Sequence, residues 1–280
     1  MKKWITLFIV CTLLLTACSK PDKSGKGHHE HESSHEEHAG PGNQAAEQVK
    51  AVWTPGGADG GDTFVRSGEE TEISVRLEDS QGKPMDDYDI NHEKKMHLIV
   101  VSKDLSYFNH VHPEYKGDGT FAVQLNFPNG GEYKLIADFI PSGMSAMTLS
   151  HWVTVEGKHA AGSKLQPDKV LAKEINGKQI TLTMEKPTAG METVLKFYLT
   201  DAATNEPVKD LEPYLGAVGH VVILSQDTEQ YLHVHPADEN TTGPEAKFAT
   251  TFPKSGIYKI WGQFQHNGKV YIVPFVVDVP

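Results

Sequence analysis

Short alternations of polar and apolar residues fill the chain from about residue 50 onward. Glu72-Ile-Ser-Val-Arg-Leu77, Thr120-Phe-Ala-Val-Gln-Leu-Asn-Phe127 and Gln179-Ile-Thr-Leu-Thr-Met184 each place apolar side chains at every second position, the period of a strand with one buried face. Gly and Pro punctuate the sequence at intervals of about ten residues. No stretch longer than two turns carries a helical period. Short, frequent strands separated by turn residues predict antiparallel β-sandwiches rather than a parallel sheet with crossover helices.

The pattern occurs twice. Gly68-Glu-Glu-Thr-Glu-Ile-Ser-Val-Arg-Leu-Glu-Asp79 matches Gly190-Met-Glu-Thr-Val-Leu-Lys-Phe-Tyr-Leu-Thr-Asp201. Pro84 and Asp87 then correspond to Pro207 and Asp210, Phe127-Pro128 to Phe252-Pro253, and Phe139 to Phe264. A nearly constant offset over this length indicates a tandem duplication with insertions confined to loops. Tyr133-Lys134 and Tyr258-Lys259, each just after a Gly turn, are expected to be structural, the tyrosines tying down a corner through their hydroxyls.

Within each copy lies the same spacing of histidines: His97-x12-His110-Val-His112-Pro113 and His220-x12-His233-Val-His235-Pro236. Two histidines separated by one residue of a strand share a face, and Pro113 is expected to end that strand at a sheet edge. His97 opens the apolar run Leu98-Ile99-Val100-Val101. A hairpin turn over Lys103 to Ser106, or Asp227 to Gln230 in the second copy, would return His110 or His112 beside His97. Imidazole coordinates zinc and copper near neutral pH without a perturbed pKa. Three converging imidazoles would leave positions open on the ion, as in exchangeable rather than closed structural sites. Two candidate sites follow: His97, His110 and His112 in the first copy, and His220, His233 and His235 in the second. Met96, Met144, Met147, His151 and His266 are possible additional ligands. A lone histidine pair beside a proline could equally hydrogen-bond to backbone and fix a turn; three per copy favour the metal.

The N-terminal end sets the compartment. Met1-Lys2-Lys3, an apolar run from Trp4 to Leu15, and Leu15-Thr16-Ala17-Cys18 resemble a bacterial lipoprotein signal, which implies cleavage before Cys18, its lipidation, and anchoring at the extracytoplasmic face of the cell membrane. Cys11 and Cys18 are the only cysteines, so the remainder has neither disulfide nor thiolate ligand, which excludes a cysteine-rich zinc site, a cysteine nucleophile and an iron–sulfur cluster. Without Lys2 and Lys3 the 26 basic residues fall to 24 against 37 acidic ones, a formal charge of −13. That charge disfavours nucleic acid as a partner and mildly attracts cations. Between signal and strands, Pro, Gly, Ser, Lys and Glu dominate, and the run His28-His29-Glu30-His31-Glu32-Ser33-Ser34-His35-Glu36-Glu37-His38 is either a weak metal-catching tether or a solubilising spacer. The expected organisation is a signal peptide over 1–17, a lipidated disordered tether over 18–48, sandwiches over 49–157 and 170–280, and a linker over 158–169.

Taken together, the lipobox, the His-rich segment and the run from Met96-His97-Leu-Ile-Val-Val-Ser-Lys-Asp-Leu105 through His110-Val-His-Pro-Glu114 to Gly131-Glu-Tyr-Lys-Leu-Ile-Ala-Asp-Phe139 resemble the YtkA-like or FixH-like group of bacterial exported β-sandwich proteins, which are loosely similar to copper-resistance sandwiches. The likeness extends over residues 62–156 and, less closely, 178–279, where Gly219 stands for Met96 and Gln263 for Asp138. It implies an immunoglobulin-like fold and a link to copper or other heavy metals.

Three functions fit. The leading one is a non-enzymatic lipoprotein that buffers, scavenges or delivers copper, as Cu(I) or Cu(II), with zinc as the other candidate ion. An extracytoplasmic metal-transport or oxidase-assembly protein would be its partner. Copper is favoured by its place at the top of the divalent affinity order and by the methionines of the first copy. The second is an adhesion or assembly module with structural histidines. The third, a zinc-dependent hydrolase or hydratase, needs a general base for which only Asp138 and Glu114 offer themselves.

Overall fold

The computed structural model describes residues 49–56, 64–162, 164–238 and 240–280. Cys18 and the histidines of the 28–38 run lie outside the described residues. Among the described residues there is no helix, and eighteen strands build two sandwiches. The first contains β1 (Val49–Pro55), β2 (Val65–Arg66), β3 (Glu70–Asp79), β4 (Tyr88–Asp89), β5 (Met96–Ser102), β6 (Phe108–Val111), β7 (Glu114–Gly117), β8 (Thr120–Asn126), β9 (Gly131–Pro141) and β10 (Met147–Glu156). Its sheets run β1-β3-β8-β7 and β2-β10-β9-β5-β6, with β4 paired to β9.

The second contains β11 (Ala172–Ile175), β12 (Lys178–Thr183), β13 (Glu192–Asp201), β14 (His220–Ser225), β15 (Tyr231–Pro236), β16 (Glu245–Thr251), β17 (Gly256–His266) and β18 (Lys269–Val279). These hydrogen-bond in the continuous order β11-β12-β13-β16-β15-β14-β17-β18. β15 is the corner of this sandwich: its first half pairs with β14, and His235 and Pro236 pair with Ala249 and Phe248 of β16. In the first sandwich the same passage is split at His112-Pro113 into β6, which pairs with β5, and β7, which pairs with β8. Pro113 therefore marks a switch between sheets, whereas Pro236 is the last residue of the single strand β15. A proline at a sheet-switching bend removes no necessary ladder bond.

All-β tandem sandwiches of immunoglobulin-like type are thus what the chain forms, and the duplication extends to individual hydrogen bonds. The Gly68 amide donates to the Phe127 carbonyl and the Gly190 amide to that of Phe252, both at 2.8 Å. The Tyr133 hydroxyl donates to the Asn129 carbonyl at 2.9 Å and the Tyr258 hydroxyl to that of Lys254 at 2.8 Å. These are the tyrosine corners read from the sequence, each at the start of the strand that carries it. Tyr258→Phe is expected to cost about 1 kcal/mol in urea unfolding, the net worth of one such bond, with the fold retained.

Each sandwich has its own core. Leu77, Phe121, Phe127, Leu135 and Phe139 centre the first, and Phe197, Phe248, Phe252, Phe264 and Phe275 the second. Gly219 has a packing reason for replacing methionine. A Cβ there would meet the Gln263 carbonyl oxygen at 2.6 Å and the Phe264 ring at 2.7 Å. Gly219→Ala is accordingly expected to lower stability by about 1–3 kcal/mol, read from the denaturation midpoint.

The two sandwiches belong to one compact unit, joined by a third apolar cluster. Ile99, Val101, Leu105 and Ile136 of the first repeat pack with Val222, Leu224 and Trp261 of the second, and Phe108 stacks on Trp261 at 4.6 Å. Leu165, from the segment between the repeats, packs against the same cluster. The contact is reciprocal. Lys134 Nζ donates to the Thr228 carbonyl at 2.7 Å, and its counterpart Lys259 Nζ donates to the Leu105 carbonyl at 2.8 Å. Leu105 and Thr228 occupy the same left-handed position, φ 58° and 62°, in the two hairpin turns read from the sequence. This is the geometry of a two-fold dimer interface realised within one chain.

Candidate metal centre

β5 and β14 are buried on both faces, which is why each reads as an unbroken apolar run. Met96, Leu98 and Val100 point into the first core. The alternate positions Ile99 and Val101 face the second repeat, and His97, in phase with them, is directed to that same side. In β14, Val222 and Leu224 likewise face the first repeat, in phase with His220. Opposite Ile99 in the β5–β6 ladder stands His110, so the expected antiparallel return is present. The duplication thus brings histidines of both repeats to one interface.

His97, His110 and His112 offer ligand nitrogens that all lie within 4.8 Å of one another. His97 and His110 are buried, at 1% and 8% exposure. His97 Nδ1 faces His110 Nε2 at 3.0 Å. The outer nitrogens meet oxygen: His97 Nε2 is 2.9 Å from the Asn91 carbonyl, and His110 Nδ1 is 3.1 Å from Gln263 Oε1, across the interface. The Asn91 backbone carbonyl can only accept, so His97 Nε2 carries that ring's proton, and His110 Nδ1 carries one in the orientation that presents Gln263 Oε1 to it. In neutral imidazoles the two inner nitrogens then hold lone pairs, pointed at each other. Metal-bound histidines are oriented this way, with the far N–H donating to an oxygen and the near nitrogen free for the ion. Two nitrogens on one tetrahedral ion stand about 3.3 Å apart, so a shift of a few tenths of an ångström would admit it. His112 Nε2 is buried without a hydrogen-bond partner. His112 also lines a surface depression with Glu72, Glu114, Lys116 and Gln124.

The electrostatics hold the rings of His110 and His112 neutral. Burial pushes the His110 pKa well below the ordinary value, helped by His97 and His112, while Gln263 and Asp138 pull the other way. Burial, then His97 and Lys94, lowers His112 to about 4. Neutral imidazole is the ligand form, so no proton must be displaced near pH 7. Asp138, the cross-strand partner of His97, is buried and accepts the Tyr231 hydroxyl at 2.9 Å. With burial first and Asp138 second, the Tyr231 pKa is raised far above its usual value.

A sequence family described as "Domain of unknown function (DUF8832)" matches residues 59–157 and again 173–280. The chain belongs to this DUF8832 family. None of the curated proteins matches it. Among solved structures, the chain is similar to the Escherichia coli adhesin FdeC, at 16% identity over 83% of this chain and 64% of that one, TM-score 0.28. It is also similar to the Yersinia pseudotuberculosis adhesin InvE, at 9% identity over 84% and 61%, TM-score 0.24, and to domains 5–6 of the S-layer protein SbsC, at 14% identity over 82% and 98%, TM-score 0.24. The chain thus spans slightly under two thirds of the two adhesin structures.

In the DUF8832 repeats a histidine of the second copy joins those of the first. His220 lies with the first repeat's set, its ring centre 4.9 Å from that of His110 and 5.6 Å from that of His97, the latter pair stacked. His233 and His235 are on β15. The methionines do not join the cluster. Met96 and Met147 are core side chains, and Met144 packs against that core; Met96 is turned away from His97 because consecutive residues of a strand face opposite ways. His151 stacks on Trp53 at 5.8 Å, and His266 Nε2 pairs with Asp210 Oδ1 at 3.1 Å. Glu114 is exposed and paired with Lys116.

Two participants escape a reading based on repetition. His92 lies 5.3 Å from His220 and 6.3 Å from His97 between ring centres. Its counterpart in the second repeat is Leu215, so no repeated spacing marks it; the His92-x4-His97 spacing was the available signal. Gln263 looked like a loss relative to Asp138, yet it serves His110 across the interface.

Proposed function

We propose that the protein is a non-enzymatic, extracytoplasmic metal-binding lipoprotein that takes up copper at His97, His110 and His112 and buffers, scavenges or passes it on. The observation that carries this reading is the convergence of the three rings, whose ligand nitrogens lie within 4.8 Å of one another while the Asn91 carbonyl and Gln263 Oε1 hold the far nitrogens of His97 and His110. The buried, unpartnered Nε2 of His112 adds a third donor. An all-nitrogen site without methionine favours Cu(II) over Cu(I), and Zn(II) suits the same donors. The lipid on Cys18, the membrane location, the His28–His38 run as a weak antenna, and kinship with YtkA-like proteins belong to the same proposal, as does a metal-transport or oxidase-assembly partner.

The test is a titration with Cu(I), Cu(II) and Zn(II) in a chain whose His28, His29, His31, His35 and His38 are glutamine. One tight ion per chain is expected, absent when His97, His110 and His112 are also alanine. Equal binding by both proteins would defeat the proposal.

A second reading draws on the continuity of the Asn91–His97–His110–Gln263 chain across the interface. With the Gln263 amide turned to present Nε2 to His110, each link from Gln263 to Asn91 is a hydrogen bond without an ion. The histidines then clamp the two sandwiches of an adhesion or assembly module. This reading expects the triple alanine variant to lose stability with no change in metal content.

A further inference from the structure

The ring positions point beyond three ligands. We infer that His220 of the second repeat is a fourth ligand to the ion held by His97, His110 and His112, so that the metal is enclosed between the two sandwiches. This rests on the metal-binding reading above.

Four imidazoles arranged tetrahedrally on one ion, with bonds of about 2.0–2.1 Å, have ring centres about 5 Å apart. The ring centres of His97 and His110 are 5.2 Å apart, those of His97 and His112 5.0 Å, and those of His110 and His112 4.8 Å. His220 fits the same shell, at 4.9 Å from His110 and 5.6 Å from His97. It is 3% exposed and opens β14, the counterpart of His97 across the pseudo-two-fold. Its nitrogens stand outside the set that lies within 4.8 Å, so closing on the ion requires its ring to turn toward the other three. The stacked arrangement on His97, 9° between planes, is the open form of that shell.

Enclosure has a consequence. An ion bonded to residues of both repeats binds the docked arrangement better than a separated one, so loading tightens the interface by linkage. The second repeat already orients His110 through Gln263; with His220 it would also complete the coordination.

The experiment compares Cu(II) loading in the full chain with glutamine at the five N-terminal histidines, its His220→Ala form, and the His97, His110 and His112 triple alanine form. Electron paramagnetic resonance of the loaded parent is expected to report four imidazole nitrogens, and the His220→Ala form three. The single variant is expected to keep one ion per chain with affinity weaker by roughly tenfold or more. Hydrogen exchange of the Leu105 and Thr228 turns should slow on loading in the parent and not in His220→Ala. Three nitrogens in the parent, or unchanged affinity and protection in His220→Ala, would overturn the assignment while leaving the three-histidine site standing. Binding unaffected in the triple variant would instead remove the underlying reading. Should His220→Ala not fold, the nitrogen count in the parent decides the question.

Discussion

Copper(II) or zinc(II) supplied at a hundred times its dissociation constant is expected to stabilise the folded chain by about 2.7 kcal/mol, because an ion that binds only the native state adds its binding energy to folding. For sandwiches of this size the melting temperature should rise by roughly 5–10 °C. A chelator should return it to the starting value. The rise belongs to the histidine cluster because His97, His110 and His112 come from strands and a corner that converge only in the folded protein. The form with alanine at all three should show no rise. A melting temperature indifferent to metal in the parent, with the five N-terminal histidines replaced, would sink the idea.

Acid should destabilise the metal-free protein. Both His110 and His112 have native pKa values below the unfolded value near 6.5, so the unfolded chain binds more protons once the pH falls under that value. Their contribution is complete above about pH 6.5 and is lost progressively toward pH 4, the native value for His112. For His112 alone this amounts to about 2 kcal/mol after allowance for its partial solvent access, and His110 acts in the same direction. The check is urea unfolding with chelator present at pH 7 and 4.5, for the parent and for a His110→Gln, His112→Gln form. Carboxylates titrate in both proteins, so the difference between them isolates the imidazoles. An equal loss in the two would exclude this account.

The hydrophobic alternation was sufficient to read the strands around Ile73, Phe121 and Ile180, because a strand with one buried face writes its period into the sequence. The corner tyrosines and the hairpin turns were legible for a similar reason: turn residues and a tyrosine at fixed offset are local chemistry. β5 and β14 were legible as strands but not as interface strands. An apolar run buried on both faces looks the same whether the second face meets another sheet of the same sandwich or a neighbouring repeat. That ambiguity concealed the site. Equal spacing in two copies suggested two comparable candidate sites, and the methionine beside His97 suggested a ligand, although alternation already turned Met96 toward the core.

What the sequence determined by itself is therefore the content of each repeat: its strands, its corners, and the return of His110 beside His97. All of these depend on contacts within one duplicated unit, and duplication preserves them. Tertiary structure alone decided how the units meet. The reciprocal grip of Lys134 on Thr228 and of Lys259 on Leu105, with Phe108 stacked on Trp261 in the apolar cluster between the repeats, sets the repeats about a pseudo-two-fold axis. Residues more than ninety positions apart become neighbours there, and His220 comes to lie beside His97. Side chains from different repeats share no local period, so nothing in the order of residues could announce that they would meet.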